Sequence, residues 1–156
     1  MPIRNGILDN MPRYIVARLE DWDTVAKAIA LKLAPGDIIA LSGPLGAGKT
    51  TFVQALAHNL GAKGRPRSPS FSLVRTYACK GSHGIKRLVH VDAYRIESAA
   101  EIPALGLEDL AEEPGTVLAI EWPERLKGWV ERQARPALRI HIDPDDQKGV
   151  RHVKIT

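Results

Sequence analysis

Residues 43–50 read Gly-Pro-Leu-Gly-Ala-Gly-Lys-Thr. This stretch fits the pattern G-x-x-x-x-G-K-[ST], which is typical of a phosphate-binding loop. Residues 37–41 before it form a short apolar run and predict a buried strand, and residues 49–60 after it predict a helix. This motif requires the order strand, glycine-rich loop, helix. We therefore predict a phosphate-binding loop rather than a glycine turn followed by a surface lysine.

The residue types of the loop explain how it would hold a nucleotide. Glycines allow successive backbone N–H groups to turn toward phosphate oxygens, and the helix N-terminus adds the positive end of its dipole. In this motif Lys49 reaches the β- and γ-phosphates, and the hydroxyl of Thr50 binds Mg²⁺. The other nucleotide-binding residues predicted around the loop are Gly43, Leu45, Gly46, Ala47, Gly48 and Thr51.

Length and composition favour one domain. The chain has 156 residues, of which 44% are hydrophobic, enough for a single core. Residues 1–12 contain two prolines and no periodicity, so we expect a flexible leader there and one domain over residues 13–156. The only cysteine, Cys79, excludes an internal disulfide and fits a reducing cytoplasm. No apolar run approaches the roughly 18 residues of a membrane span, and we see no signal peptide, so we expect a cytoplasmic protein without membrane contact.

The remaining chain alternates between strand and helix patterns. Predicted strands cover residues 14–19, 37–41, 71–77, 87–92, 116–121, 137–142 and 150–155. Predicted helices cover residues 24–33 and 49–60, with two short pieces in 97–113 broken at Pro103 and Gly106, and one or two turns at 124–129. Strands 71–77 and 87–92, and likewise 137–142 and 150–155, are predicted hairpins. The fold class is α/β, a three-layer P-loop NTPase-like domain whose mixed, mainly parallel central sheet carries antiparallel extensions.

Two acidic residues qualify as partners of the loop. Asp92 follows Leu88-Val89-His90-Val91, and Glu121 follows Val117-Leu118-Ala119-Ile120. Both runs are mainly apolar, so both acids should lie at the carboxyl ends of strands, where ligands bind in open α/β sheets. One acid would serve Mg²⁺ and the other would orient water or sense the γ-phosphate, and spacing alone leaves the assignment open. The plainer interpretation is a carboxylate that caps a turn. His90 either orients a carboxylate or satisfies a polar contact in the core.

Four motifs together resemble the TsaE (YjeE) family, in an order that matches across residues 14–142. They are residues 43–52, Ser68-Pro69-Ser70-Phe71-Ser72-Leu73-Val74, His90-Val91-Asp92-Ala93-Tyr94-Arg95 and Glu121-Trp122-Pro123-Glu124. The resemblance implies an ATPase with ATP as substrate and Mg²⁺ as cofactor. It also implies that this ATPase supports the partner proteins TsaB and TsaD, which make threonylcarbamoyladenosine beside the anticodon of tRNAs reading ANN codons.

The resemblance also implies roles for residues outside the loop. Thr50 and Glu121 look like the Mg²⁺ ligands, and Asp92 looks like the acid required for hydrolysis, acting with Lys49. Residues 68–70 look like a switch segment near the γ-phosphate, although the family usually has Thr where Ser70 stands, which keeps the hydroxyl and loses a methyl group. The region of Thr24 looks like the N-terminal contribution to the nucleoside pocket.

Two other function classes fit a phosphate loop. A small-molecule kinase usually carries a lid with several arginines, and Arg65 and Arg67 are too few and too close to the helix to resemble one. A nucleotide-dependent RNA-binding module would use a basic face, in keeping with the net charge of +4. Its candidates are Lys63, Arg65, Arg67, Arg75, Lys80, Lys86 and Arg87, and any contact with tRNA is expected to be indirect. Arg95 is either a sensor or partner-facing charge or a surface salt bridge.

Overall fold

One mixed sheet of seven strands organises the part of the chain that the computed structural model describes, residues 13–64, 73–81 and 83–156. The strands are β1 (Tyr14–Val16), β2 (Ile38–Ser42), β3 (Val74–Ala78), β4 (Arg87–Asp92), β5 (Thr116–Glu121), β6 (Leu138–Asp145) and β7 (Val150–Ile155). Their order across the sheet is β1-β7-β6-β2-β5-β4-β3.

The four central strands of the sheet run parallel. β2 pairs in parallel with both β6 and β5, and β4 pairs in parallel with β5. β7 and β1 extend one side in antiparallel fashion, and β3 pairs antiparallel with β4 on the other side. The predicted fold class and both predicted hairpins are therefore confirmed.

Helices cover both faces of this sheet and make the three layers. The α-helices are α1 (Leu19–Ala30), α2 (Lys49–Asn59) and α3 (Leu107–Glu112), and 3-10 turns lie at Ala99–Glu101, Pro103–Leu105 and Pro123–Leu126. One apolar core lies between the sheet and the α1–α2 pair, and a second lies beneath α3 and the segment 126–130. None of the helices in the described ranges has the length and apolar composition that crossing a bilayer requires.

Helix α1 begins earlier than its periodicity predicts. It starts at Leu19 instead of residue 24, and the strand predicted over 14–19 ends at Val16. The reason lies in Asp21, whose carboxylate accepts hydrogen bonds from the backbone N–H groups of Ala17 (2.9 Å) and Arg18 (2.8 Å). The acid therefore acts from inside the first turn, reaching back to the free amides, and does not stand at the N-cap.

The C-terminal hairpin is longer than predicted. β6 continues to Asp145, so the connecting turn shrinks from residues 144–149 to 146–149. Pro144 lies inside β6, opposite Arg151 of β7. Pairing with β2 ends at His141, so Pro144 lies where β7 is the only neighbouring strand, a position that tolerates a residue without an N–H donor.

The segment between β4 and β5 is helical in three pieces where two were predicted. Its breaks fall at the predicted places, with Pro103 opening the second 3-10 turn and Gly106 in the left-handed conformation before α3. Strand β3 begins at Val74; residues 71 and 72 of the predicted strand, and the leader 1–12, lie outside the described residues.

The packing of α2 on the sheet yields a prediction about stability. Phe52 is fully buried and meets the ring of Trp22 edge-on at 6.3 Å between centroids. We expect Phe52→Ala to lower the free energy of unfolding by about 3–5 kcal/mol, because it removes buried apolar area and leaves a cavity. Urea denaturation would measure this, with Gln54→Ala on the exposed face of α2 as the matched control. A loss below about 1 kcal/mol would contradict this account of the core.

Candidate functional site

Close packing leaves no room for a side chain at two glycine positions of the loop. At Gly43 a Cβ atom would lie 2.5 Å from the carbonyl oxygen of Ile142 in β6. At Gly48 it would lie 2.6 Å from the ring of Trp22 in α1. Both residues have positive φ, +146° and +110°, and Gly48 is the N-cap of α2. The loop thus packs between β6 and α1. This packing fixes the position at which α2 begins.

Lys49 is held at the base of the loop. Its side chain is 5% exposed, and its Nζ donates hydrogen bonds to the carbonyl oxygens of Gly43 (2.7 Å) and Pro44 (2.8 Å). The ring of Trp122 lies 4.3 Å from Nζ, a cation–π distance. Burial lowers the pKa of Lys49, and the carboxylates of Glu121 and Asp92 oppose this effect.

The two predicted acids lie side by side at the carboxyl edge of the sheet. Asp92 and Glu121 are register partners at the ends of β4 and β5, and Leu41 of β2 pairs with Glu121 on the other side. Glu121 Oε1 accepts a hydrogen bond from the Thr50 hydroxyl at 2.8 Å. The structure therefore brings Lys49, Thr50, Asp92 and Glu121 together, as the strand-end pattern predicts.

Asp92 and Glu121 differ in their surroundings. Glu121 is 3% exposed and also lies 2.8 Å from His90 Nε2, whereas Asp92 is half-buried. Burial raises the pKa of Asp92, the negative charge of Glu121 adds to the rise, and a hydrogen bond from the Tyr94 amide at 3.1 Å opposes it. Glu121 is thus fixed by several groups, and Asp92 faces the cavity with fewer constraints.

Lys49, Thr50, Asp92 and Glu121 all line one cavity of about 300 Å³. The residues that line it are Leu45, Gly46, Ala47, Gly48, Lys49, Thr50, Thr51, Asp92, Tyr94, Glu121 and Trp122. Sequence reasoning missed the aromatic wall formed by Tyr94 and Trp122, whose rings lie 5.0 Å apart. Both residues belong to the motifs that resemble the TsaE family, but neither was given a role. The left-handed backbone of Trp122, with φ of 58°, places its ring beside Lys49, and no local pattern reveals that conformation.

A second cavity, of about 230 Å³, lies on the α1 side of the loop. Its lining residues are Val16, Ala17, Arg18, Leu19, Trp22, Gly46, Gly48, Thr51 and Arg151. Gly46, Gly48 and Thr51 line both cavities, so the two meet at the loop. Thr24 is exposed on α1 and lines neither cavity; the N-terminal residues that approach the loop are Arg18, Leu19 and Trp22.

Several predicted residues lie away from these cavities. Arg95 is exposed and lines neither of them. The switch segment Ser68-Pro69-Ser70 lies outside the described residues, as do Arg65 and Arg67.

The described candidates for an RNA-binding basic face do not lie beside the loop. Lys63, Lys80 and Lys86 lie where α2 ends and where β3 turns toward β4, at the opposite edge of the sheet from the loop, and Arg87 forms an ion pair with Glu113. Arg75 is partly buried in β3.

The architecture and the residues around the loop are those of a known class of domain. A strand, a glycine loop with a buried lysine, and a helix, flanked by strand-end acids on a mainly parallel sheet, make a P-loop NTPase-like domain. The sequence model of one family, described as the threonylcarbamoyl adenosine biosynthesis protein TsaE, matches residues 16–153. The chain therefore belongs to the TsaE family.

Individual relatives agree with this membership. A protein of Streptomyces coelicolor named tRNA threonylcarbamoyladenosine biosynthesis protein TsaE is 38% identical over 136 residues, covering 85% of this chain and 87% of that protein. A protein of the same name from Bacillus subtilis is 34% identical over 131 residues, covering 84% of this chain and 78% of that protein. The crystal structure of YdiB from Bacillus subtilis superposes with a TM-score of 0.66 at 29% identity, covering 92% of this chain and 83% of that one.

The packing of the loop predicts that replacing two of its glycines by alanine will destabilise the fold by different amounts. Gly43 and Gly46 both have positive φ, but a Cβ at Gly46 meets nothing within 4 Å, whereas one at Gly43 meets the backbone of β6. We expect Gly43→Ala to destabilise the fold by at least about 1 kcal/mol more than Gly46→Ala does. That difference corresponds to a melting temperature lower by roughly 2–4 °C in a calorimetric scan. Equal melting temperatures would show that β6 does not restrain the loop.

Proposed function

We propose that this chain is an ATPase that converts ATP and water to ADP and phosphate in support of tRNA threonylcarbamoyladenosine biosynthesis. The observation that carries the proposal is the convergence of Lys49, Thr50, Asp92 and Glu121 on one cavity at the phosphate loop. Membership of the TsaE family supplies the biological context, because the family is described by that biosynthesis.

The two cavities that meet at the loop suit the two ends of a nucleotide. The triphosphate would lie over the loop amides at the N-terminus of α2, where backbone donors and the helix dipole favour anions. Lys49 would exchange its carbonyl partners for phosphate oxygens. The nucleoside would occupy the cavity beside α1, where Leu19 and Trp22 offer apolar surface and Arg18 and Arg151 offer charge. Thr24 remains a weaker candidate than these residues, because it is turned to solvent.

Mg²⁺ is the cation that the donor set fits. The Thr50 hydroxyl and the Glu121 carboxylate would hold it, since both are hard oxygen donors of the kind that Mg²⁺ prefers. Mg²⁺ commonly binds through one or two such protein groups together with substrate phosphates and water. In this site the cation would neutralise charge on the phosphates.

Asp92 is the candidate residue for orienting the attacking water. It borders the cavity, it is the last residue of β4 and pairs in register with Glu121, and it makes fewer hydrogen bonds than Glu121. Glu121 is already hydrogen-bonded to Thr50, so we assign Glu121 as the Mg²⁺ ligand. Asp92 is then the residue that would orient the attacking water. A small-molecule kinase and an RNA-binding module remain alternatives, and no contact among the described residues favours either.

The proposed partners are TsaB and TsaD, in the cytoplasm. Catalysis of phosphoryl transfer is largely positioning and charge stabilisation, and an arginine supplied by a partner can add about 10³–10⁵ in rate. Leu45 and Tyr94 at the rim of the cavity are 73% and 41% exposed, which supports a partner covering this mouth. Arg95, next to Tyr94, is the proposed partner-facing charge.

The first functional prediction concerns dependence on the partners. We expect the isolated chain to release phosphate from ATP slowly and the addition of TsaB and TsaD together to increase the rate, because Lys49 is the one cationic side chain among the described residues that line the cavity over the loop. Phosphate release with each partner alone, with both and with neither would measure this, with Lys49→Ala as the inactive control. Fast turnover by the chain alone, or none in the full mixture, would contradict the proposal.

The second functional prediction separates binding from hydrolysis. Lys49→Ala should weaken ATP binding by about 10–100-fold, because it removes charged hydrogen bonds worth about 1.5–3 kcal/mol. Asp92→Ala should leave binding almost unchanged and slow hydrolysis by about 10²–10⁴-fold, the usual contribution of a positioned acid or base.

Calorimetric titration with a non-hydrolysable ATP analogue would give the affinities, and phosphate release would give the rates. Lys27→Ala, which removes an exposed lysine from α1, is the control for loss of one positive charge. If Asp92→Ala hydrolyses ATP at the normal rate, the role given to this acid is wrong.

A further inference from the structure

A buried histidine contacts Glu121, the acidic residue of the proposed metal site. His90 lies in the middle of β4, is 1% exposed, and places Nε2 at 2.8 Å from Oε1 of Glu121. The same Oε1 accepts the hydroxyl of Thr50 at 2.8 Å. A carboxylate oxygen has two lone pairs, so these two donors occupy Oε1 fully. The second oxygen of Glu121 receives no hydrogen bond from any described residue and is left for the cavity.

The direction of the histidine contact follows from the chemistry of its partner. An ionised carboxylate only accepts hydrogen bonds, so Nε2 of His90 carries the hydrogen. In the neutral imidazole, Nδ1 is then an acceptor. Within the described residues, Nδ1 is buried and has no hydrogen-bond partner. Burying an unpaired polar atom costs free energy, so a purely structural side chain at this position would be better apolar. Among the described residues, the contact with Glu121 is the one hydrogen bond that accounts for an imidazole here.

We infer that His90 is a positioning residue that holds Glu121 with one oxygen on Thr50 and the other toward the cavity. The inference rests on the proposed ATPase function, because the cation that Glu121 would serve belongs to that proposal. His90 itself does not line the cavity, so it acts through Glu121 and touches neither nucleotide nor metal.

The expected loss of Mg²⁺ affinity without His90 follows from the rotational freedom of the Glu121 carboxylate. The terminal torsion of a glutamate is broad, so a carboxylate with one donor can rotate, whereas two donors on one oxygen fix its plane. Losing a partner that orients a metal ligand usually weakens metal binding by about 10–100-fold. The nucleotide contacts of the loop do not involve His90, so binding without metal should be unaffected.

Two amide variants test this role as a matched pair. In His90→Gln the side-chain N–H₂ can take the place of the imidazole Nε2, whereas in His90→Asn the shorter side chain cannot reach Glu121 across the strands. We expect His90→Asn to raise the Mg²⁺ concentration that half-saturates binding of a non-hydrolysable ATP analogue by about 10–100-fold. His90→Gln should restore most of the wild-type value, and both variants should bind the analogue normally without metal.

A wild-type Mg²⁺ requirement in folded His90→Asn would overturn the inference. Equal impairment in both variants would also overturn it, since that result indicates a packing role.

A spectroscopic readout tests the contact without metal, nucleotide or turnover. Nitrogen-15 NMR of the wild-type chain should show His90 as the Nε2–H tautomer, and Glu121→Gln should shift that signal. An Nδ1–H tautomer would refute the contact even if both amide variants failed to fold. If the wild-type chain binds no nucleotide, the proposed function fails, and the NMR result still decides whether His90 holds Glu121.

Discussion

The hydrogen bond from Thr50 to Glu121 joins the two halves of the site, and the rest of the arrangement depends on it. Thr50 belongs to the first turn of α2, and Glu121 ends the fully buried strand β5. The parallel pairing of β2 with β5 places the start of the loop beside Glu121, and the pairing of β5 with β4 adds Asp92. Three chain segments far apart in sequence thus present oxygen donors to one cavity because strand register aligns their ends.

The loop depends on its neighbours as much as on its own residues. Gly43 packs against β6, and Gly48 packs against Trp22 of α1. Trp22 in turn meets Phe52 of α2, so the apolar core beneath α1 and α2 extends to the loop. A side chain at either glycine would displace backbone or a buried ring. The geometry of the phosphate site is therefore set by the packing of the domain, and the glycine pattern is one consequence of that packing.

The fold was more predictable from sequence than the finer geometry of the site. The apolar runs before Asp92 and Glu121 predicted strands whose ends coincide, and the structure confirms that placement. Helix α1 was placed too late, because the capping by Asp21 acts backward along the chain and escapes a periodicity argument. The aromatic wall was missed because it depends on the left-handed backbone of Trp122. The partner of His90 was left open for a related reason, since it lies on the neighbouring strand.

The surroundings of Lys49 bear on how the site would bind the proposed nucleotide. A buried ammonium group has lost most of its water, which is why burial lowers its pKa. Two loop carbonyls and the ring of Trp122 replace part of that hydration. Much of the desolvation that phosphate binding would require of Lys49 has therefore taken place during folding. The carbonyl contacts are neutral acceptors, so an oxygen of the proposed phosphate ligand would displace them with a stronger, charge-assisted hydrogen bond.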